Sequence, residues 1–390
     1  MISPSSTSRI EVVQVLRAIA ALLVVVTHAI NANDYRTDMP RSWFGSAGHF
    51  NEFGAVGVDL FFVISGFIMA HTLASRPQLG TGEFLRMRLV RVVPPFWLAS
   101  LVFMPVAWLC GRSFAPLQYA EVATIFPLTM AEAYHMPLLS LGWTLAFELA
   151  FYCVVGLAIA ATANPQRRLA ATLQMTALLG LAGICAVPQW SITALLVNAI
   201  WLEFLAGLAV YWLWHRQRVV QTRIALSLFV LSLGLLLHSA IAGAGFADHP
   251  RALFWTDAAL NPEGRSGFAR ALGWGIPCAG LLLGSLWLVQ GRVRARLASS
   301  GAWQGLTRLG DASYSLYLVH PLVLLPWQYL APANRLNADL VIALLVALSC
   351  LLALLAHHKV EVPLLRQLRP LTSRAWGRPI AVKAGTSRLA

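Results

Sequence analysis

The sequence predicts an all-α fold, that of a polytopic integral membrane protein with about ten transmembrane helices. Of its 390 residues, 58% are hydrophobic and only 12% are charged, whereas soluble domains carry roughly 25% charged residues. Apolar runs of about 20 residues, the length that crosses a bilayer as a helix, recur along the chain. Ten such runs are found at residues 11–31, 54–75, 92–111, 140–162, 169–187, 192–214, 223–243, 271–290, 312–331 and 338–358.

The distribution of basic residues predicts the orientation. With the N-terminus placed in the cytoplasm, 21 of the 29 Lys and Arg residues fall in cytoplasmic segments and 7 on the opposite side, while Arg17 lies near the cytoplasmic end of the first apolar run. This asymmetry follows the positive-inside rule, and it predicts that both termini are cytoplasmic. The net charge of +13 therefore indicates topology and contact with the lipid bilayer rather than nucleic-acid binding. We expect a membrane domain over residues 1–360 and a basic cytoplasmic tail over residues 361–390.

Neither a cleaved signal peptide nor a cysteine-based metal or redox site is expected. The N-terminal segment MISPSSTSRIE lacks a small-residue cleavage site, so the first apolar run is expected to remain in the protein. The five cysteines are widely spaced within apolar runs and form no redox or metal-binding motif, so no metal site is expected. They are Cys110, Cys153, Cys185, Cys278 and Cys350.

The first apolar run carries an ionisable residue near each end, in LRAIAALLVVVTHA. Arg17 and His28 are eleven residues apart. On an α-helix this spacing is about 20° more than three full turns and about 16 Å of rise, so both side chains lie on one stripe. Ionisable residues inside a membrane usually mark a functional site. The alternative is an arginine that reaches the interface and a histidine that is hydrogen-bonded for structure alone.

Two further runs place carboxylates in the membrane. Asp59 lies in GVDLFFVISGFIM, and Glu148 lies in LGWTLAFELAFY, where Thr144 and Tyr152 share its helix face. Because the first run leads outward and these two lead inward, His28, Asp59 and Glu148 are expected at one depth. An imidazole flanked by carboxylates suits general-base chemistry on a hydroxyl. Buried polar groups also pair only for structure, and that alternative stays open.

An arginine-rich segment, RMRLVRVVPPFW, precedes the third run. The pair Pro94 and Pro95 predicts a helix that begins there, because proline is favoured in a first helical turn. Arg86, Arg88 and Arg91 suit bidentate binding of phosphates. As residues on the cytoplasmic side they are also expected from topology alone.

The ninth run begins LGDASYSLYLVHPLVLL. Ser313, Tyr317 and His320 fall on one helical stripe, and a polar stripe inside a membrane is expected to face the bundle interior. Another intramembrane carboxylate, Glu203 in WLEFLAGL, is expected to be structural rather than catalytic.

Taken in this order, the segments resemble the membrane-bound acyltransferase-3 family, and within it bacterial exopolysaccharide O-acetyltransferases. The resemblance covers residues 10 to about 366. It is carried by IEVVQVLRAIAALLVVVTHA, GVDLFFVISGF, RMRLVRVVPPFW, LGWTLAFELAFY, LGDASYSLYLVH and the closing VEVP at 360–363.

The resemblance implies transfer of an acyl group, usually acetyl, from cytoplasmic acyl-CoA to a sugar hydroxyl near the outer face of a bacterial inner membrane. The donor is then a substrate such as acetyl-CoA, with no bound cofactor, and the acceptor is a polysaccharide or a lipid-linked repeat unit. The family's arginine and histidine positions match Arg17 and His28. Its arginine-rich segment matches Arg88 and Arg91, and its tryptophan-to-glutamate motif matches Trp143 and Glu148.

Other functions remain open at this stage. The acceptor could be a lipid or a small hydroxylated molecule. A transporter or flippase of a lipid-linked saccharide would use Asp59, Glu148 and Glu203 as proton or cation sites. Some relatives carry a C-terminal extracytoplasmic hydrolase-like domain, and none is expected here.

Overall fold

Helices form all the regular structure in the part of the chain that the computed structural model describes, which is residues 10–47, 50–126, 138–185, 191–217, 220–242, 266–333 and 335–373. The predicted all-α class is confirmed for these residues. The helices are α1 (Glu11–Asp34), α2 (Val56–Ser75), α3 (Thr81–Leu109), α4 (Pro116–Thr124), α5 (Gly142–Ala161), α6 (Pro165–Cys185), α7 (Trp201–Arg216), α8 (Thr222–Ala242), α9 (residues 266–288), α10 (Gly291–Ala298), α11 (Gly301–Asp311), α12 (Ser313–Leu330), α13 (Ala338–Ala356) and α14 (Val362–Ser373), with short helical segments at Trp43–Ala47, Phe50–Phe53 and Ser191–Leu196.

Seven helices of the described residues are long and apolar enough to cross a membrane. The protein is therefore a multi-pass membrane protein. The seven are Glu11–Asp34, Val56–Ser75, Thr81–Leu109, Gly142–Ala161, Thr222–Ile241, Phe268–Leu288 and Ala338–Leu368.

Three of the ten predicted spans are helical but are not among these seven, so the count of about ten is not confirmed. The segment 169–187 falls on α6, which begins with a polar turn that contains Arg167 and Arg168. The segment 192–214 falls partly on α7, which has only 16 residues. The segment 312–331 falls on α12, where Pro321, Pro326 and several polar side chains lower the hydropathy.

The predicted start of the third span is wrong. Helix α3 begins at Thr81, thirteen residues before Pro94, and both Pro94 and Pro95 lie inside it. Proline removes one backbone hydrogen bond, but neighbouring helices in a membrane protein can compensate for that loss. As a result Arg88 and Arg91 lie on the helix itself, three residues apart and on one face.

Close helix contacts bring the polar segments together. Helices α2 and α7 touch through glycines: an ideal Cβ at Gly66 would lie 2.2 Å from the Phe204 carbonyl oxygen, and one at Gly207 would lie 2.0 Å from the Val63 carbonyl oxygen. Helix α1 packs against α2, α11, α12 and α13, while α3 packs against α5 and α12. Small residues permit such approach between membrane helices. Helices α1, α2, α3, α5 and α12 thereby surround one space.

The described residues include two π-helical turns. One, Ala271–Gly275, lies within α9, and the other, His357–Glu361, joins α13 to α14. Such turns often lie at functional positions. The second turn also shows that the chain continues as a helix beyond residue 361, where the basic tail was predicted to begin. The described residues do not include residues 1–9, residues 374–390 of that tail, or most of the segment 244–270 between two predicted spans.

Candidate functional site

A cavity of about 100 Å³ lies between α1, α2, α3, α5 and α12. Seven of the candidate site residues line it, and they come from four of these helices. They are Arg17, Arg88, Arg91, Glu148, Tyr152, Ser313 and Tyr317, and the remaining lining includes Val58, Phe61, Phe62, Ser65, Thr144 and Tyr314. The structure thus joins residues that are up to 300 positions apart in the sequence.

The cavity lining is rich in cations. Three guanidinium groups, those of Arg17, Arg88 and Arg91, face a single lining carboxylate, that of Glu148. Arg17 interacts electrostatically with both Arg91 and Glu148. Among the described residues neither Arg17 nor Arg91 has a hydrogen-bond partner, so their donors are available to a ligand. Such an arrangement favours an anion, and guanidinium groups bind phosphate oxygens in pairs.

Arg88 is held more firmly than the other two arginines. Its Nη2 donates a hydrogen bond of 3.0 Å to Oγ1 of Thr72. Its guanidinium carbon also lies 5.6 Å from the ring centre of Phe84 and 5.7 Å from that of Tyr152. Contacts of this kind between a cation and an aromatic ring are favourable, more so where water is excluded. The position of Arg88 is therefore fixed before any ligand arrives.

Glu148 is the centre of a small hydrogen-bond network. The hydroxyl of Tyr152, one turn further along α5, donates to Oε1 of Glu148. Oγ of Ser65 donates to the same oxygen over 3.3 Å. The sequence predicted that Glu148 and Tyr152 share a face, and both do line the cavity.

A tyrosine and a threonine from opposite helices form another part of the wall. The hydroxyls of Thr144 and Tyr317 are 2.8 Å apart. Near them, Oγ of Ser313 is buried and has no hydrogen-bond partner in the described part of the chain. Polar side chains of α12 thus face the bundle interior, as their helical stripe predicted.

His28 and His320 lie together outside the cavity lining. Nδ1 of His28 is 2.9 Å from Nε2 of His320, and the two rings stack with centroids 5.1 Å apart. His320 is fully buried, whereas His28 is partly exposed. The centroid of the Tyr317 ring lies 6.1 Å from that of His320, so Tyr317 connects the histidine pair with the cavity.

The expected meeting of His28 with two carboxylates does not occur. Asp59 instead forms a buried ion pair with Arg270, with Oδ1 2.9 Å from Nε and Oδ2 2.8 Å from Nη2. On α2, Asp59 lies about a third of a turn round the helix from the middle of the cavity-lining face. No feature of the sequence marked Arg270 as the partner of Asp59.

Two other predicted residues also lie outside the cavity lining. Trp143 is buried and packs against Phe62 and Phe147, with ring centroids 6.5 Å and 6.3 Å away. Glu203 is fully buried and interacts with Asp59 and Arg270. Neither of its carboxyl oxygens has a hydrogen-bond partner among the residues described.

One carboxylate beside the site was not predicted as functional. Glu361, in the π-helical turn His357–Glu361, is a buried residue that accepts hydrogen bonds from Oγ of Ser315 over 2.6 Å and from Nδ1 of His357 over 2.8 Å. It also interacts electrostatically with Arg17 and Arg91. The segment VEVP that contains it was noted only as part of the family resemblance.

Comparison with known proteins gives the family. A model described as an acyltransferase domain matches residues 10–358, which include every residue of the cavity lining. The chain belongs to the acyltransferase-3 family. The resemblance stated from the motifs is thereby confirmed, and this protein is a membrane acyltransferase.

A named relative of this acyltransferase is also found. It is similar to the exopolysaccharide production protein ExoZ of Rhizobium meliloti (strain 1021), with 29% identity over 329 residues, which are 83% of this chain and 93% of ExoZ. No solved structure gives a significant match. In the described residues of this acyltransferase, no group of three or more His, Cys, Asp or Glu side chains has the arrangement of a metal site.

Proposed function

We propose that this acyltransferase moves an acyl group, acetyl in the first instance, from acyl-CoA to a hydroxyl of an exopolysaccharide or cell-surface sugar. The observation that carries the proposal is the cavity in which Arg17, Arg88 and Arg91 face one carboxylate. Such an excess of guanidinium groups inside a membrane protein is costly unless an anion neutralises it. Coenzyme A supplies that anion through its phosphates.

The donor binds with its phosphates at the arginines and its thioester further in. In this proposal the cavity takes the acyl-thioester end of the donor, and the rest of coenzyme A lies towards the cytoplasm. Arg91 is exposed although it lines the cavity. This exposure supports an opening of the cavity next to Arg91. Arg17 and Arg91 then bind phosphate oxygens, and Arg88 adds charge from its fixed position on Tyr152.

His28 serves as the general base. It accepts the proton of the sugar hydroxyl while the hydroxyl oxygen attacks the carbonyl carbon of the thioester. The tetrahedral intermediate then collapses, the carbon–sulfur bond breaks, and the thiolate of coenzyme A takes the proton from the His28 imidazolium. Atoms and charges balance without another reactant. General-base catalysis of this kind contributes about 10²–10⁴-fold in rate.

The remaining carboxylates have supporting roles in this proposal. Glu148 orients Tyr152 through its hydrogen bond and offsets part of the arginine charge. Asp59, first considered catalytic, has both oxygens engaged by Arg270 and is assigned to the scaffold. Engagement of Asp59 also weighs against the transporter alternative, in which it would have to exchange a proton or a cation.

The acceptor class rests on the similarity to ExoZ, whose name connects it with exopolysaccharide production. A polysaccharide offers many hydroxyls, and His28, the proposed base, is partly exposed. A lipid or a small hydroxylated molecule would be the acceptor if sugars were not acylated.

Purified protein tests the proposal. Acetyl-CoA and de-O-acylated exopolysaccharide are supplied in lipid nanodiscs, thiol release is followed, and the sugar product is analysed by mass spectrometry. Thiol release that requires the sugar, together with a mass gain of one acyl group per release, is expected. Thiol release with lipid but not with sugar, or none with any acceptor, would contradict the proposal. Succinyl-CoA in parallel determines the acyl group.

A further inference from the structure

A chain of hydrogen bonds runs from the backbone of α12 through His320 to His28. Nδ1 of His320 lies 3.1 Å from the carbonyl oxygen of Leu316, and Nε2 of His320 lies 2.9 Å from Nδ1 of His28. We infer that His320 is a positioning residue that holds neutral His28 in the tautomer protonated at Nδ1, so that Nε2 carries the free lone pair. The role of this lone pair as the base rests on the function proposed above.

The tautomers follow from what each group can donate. A carbonyl oxygen only accepts, so Nδ1 of His320 must carry a hydrogen and donate it to Leu316. A neutral imidazole has one such hydrogen, which leaves Nε2 of His320 as an acceptor. Nδ1 of His28 must then be the donor across the 2.9 Å contact. By the same rule Nε2 of neutral His28 is unprotonated.

The sequence of α12 makes the first step of this chain robust. Pro321 has no backbone N–H, so the carbonyl of Tyr317, four residues earlier, lacks its ordinary helical donor. That carbonyl also interacts with the His320 ring. The Leu316 carbonyl oxygen at Nδ1 of His320 requires that nitrogen to carry the hydrogen. This contact thus fixes the direction of the whole chain.

Burial separates the roles of the two rings. His320 is 0% exposed, and both of its nitrogens have partners, so it cannot reach a substrate. His28 is partly exposed, and its Nδ1 is engaged, so Nε2 is the nitrogen left for the acceptor. When His28 accepts a proton at Nε2, its Nδ1–H becomes a charge-assisted donor to His320, and such bonds are stronger than neutral ones.

A neutral imidazole thus replaces the carboxylate that orients the histidine in serine hydrolases. A carboxylate at this place would add a permanent charge within the membrane-spanning bundle, which is costly. His320 gives the same orientation without that charge. It also explains why Asp59 and Glu148 need not contact His28.

Two substitutions of His320 distinguish its role as a hydrogen-bond acceptor from the volume of its side chain. His320→Gln keeps an oxygen that accepts from Nδ1–H of His28, whereas His320→Leu keeps comparable volume without an acceptor. We expect His320→Leu to lower kcat on the order of 10²-fold, since the loss of partners that orient a histidine costs about 10–100-fold or more. KM for acyl-CoA should stay unchanged, and His320→Gln should recover kcat to within about tenfold. His238→Leu, on α8 and exposed, is the matched control.

Nuclear magnetic resonance of ¹⁵N-labelled histidine gives a readout that does not depend on activity. In the wild type the His28 signals, assigned by their loss in His28→Gln, should show an unprotonated Nε2 and a protonated Nδ1. In His320→Leu they should show a mixture of tautomers. If that variant does not insert, the wild-type and His320→Gln spectra decide the matter.

The inference is overturned if wild-type His28 is protonated at Nε2, or if His320→Leu keeps wild-type kcat. It is also overturned if both substitutions reduce kcat equally. Failure of the proposed function looks different: the wild type then transfers no acyl group to sugar, while the tautomer of His28 remains as stated.

Discussion

The Arg270 guanidinium forms a buried bidentate ion pair with the Asp59 carboxylate, across 211 positions of sequence and with nitrogen–oxygen distances of 2.9 and 2.8 Å. Both side chains are almost fully buried, at 3% and 0% exposure. This pair ties α2 to the end of α9 next to the π-helical turn Ala271–Gly275. The ion pair therefore holds in place the helix whose residues Val58, Phe62 and Ser65 line the cavity.

Removal of one partner of this pair should destabilise the protein. Asp59→Ala leaves a buried guanidinium without its counter-charge, and such a loss costs about 3–5 kcal/mol. We expect a lower yield of folded protein and a lower melting temperature in nanodiscs, measured by the fluorescence of intrinsic tryptophan.

The double variant Asp59→Leu with Arg270→Met distinguishes a structural pair from a catalytic carboxylate. It removes both charges together, so much of the stability should return. Acyl transfer should return with it. A stable double variant without activity would show that Asp59 takes part in the chemistry.

The unpartnered arginines of the cavity should govern donor binding. Replacement of Arg17 or Arg91 by Gln removes charge and keeps bulk. Hydrogen bonds to charged groups contribute about 1.5–3 kcal/mol, so KM for acyl-CoA should rise roughly 10- to 100-fold at each site, with a smaller change in kcat. Steady-state kinetics over a range of acyl-CoA concentrations measures both constants.

Arg294→Gln is the control for these variants. Its side chain is 55% exposed and lies 3.5 Å from Glu11, away from the cavity. It should leave KM within about twofold, as ordinary surface substitutions do. An unchanged KM in a folded double variant of Arg88 and Arg91 would assign these residues to topology alone.

The glycine contact between α2 and α7 should be sensitive to a single methyl group. An added Cβ at Gly66 would meet the Phe204 carbonyl oxygen at 2.2 Å, so the two backbones must separate. Overpacking of this kind costs about 1–3 kcal/mol. Gly66→Ala should lower the melting temperature and, because α2 lines the cavity, the activity.

Gly234→Ala provides the comparison, because no atom lies within 4 Å of an added Cβ at that helical glycine. Alanine is favoured over glycine in a helix by up to about 1 kcal/mol. The control should therefore be as stable as the wild type or slightly more so. Equal losses in the two variants would remove the packing explanation.

The orientation of the bundle is a further prediction, and it rests on the charge asymmetry of the loops. Reporter fusions after residue 45 should have their reporter outside the cytoplasm, and fusions after residues 80 and 300 should have it inside. Alkaline phosphatase and green fluorescent protein activities measure the two locations. A cytoplasmic signal at residue 45 would reverse the orientation and move His28 to the opposite side.

Part of the site could be predicted because helical periodicity is local. The spacing of Glu148 and Tyr152, and that of Ser313 and Tyr317, already places each pair on one face, and those faces do line the cavity. Polar residues on an apolar helix are expected to face protein, and Arg17, for which an interfacial position stayed open from sequence, does line the cavity.

The rest depended on contacts between distant segments. The partner of Asp59 lies 211 residues away, and that of His28 lies 292 residues away, and no periodicity carries such information. The prolines of α3 misled for another reason: Pro94 and Pro95 are tolerated within a helix that neighbouring helices support. Their position 13 or more residues into α3 could not be deduced from the proline pair alone.

The O-acyl content of cell-surface polysaccharide in strains that carry His28→Ala or His28→Gln tests directly whether His28 is the base. His28→Ala removes a polar group from the membrane-spanning bundle, and His28→Gln keeps a side chain that can form hydrogen bonds there, so both variants should insert normally. Because neither side chain can act as a base near neutral pH, both strains should lose O-acylation, by about 10²–10⁴-fold in rate. O-acylation near the wild-type level in a His28→Ala strain with normal protein abundance would show that His28 is not the base.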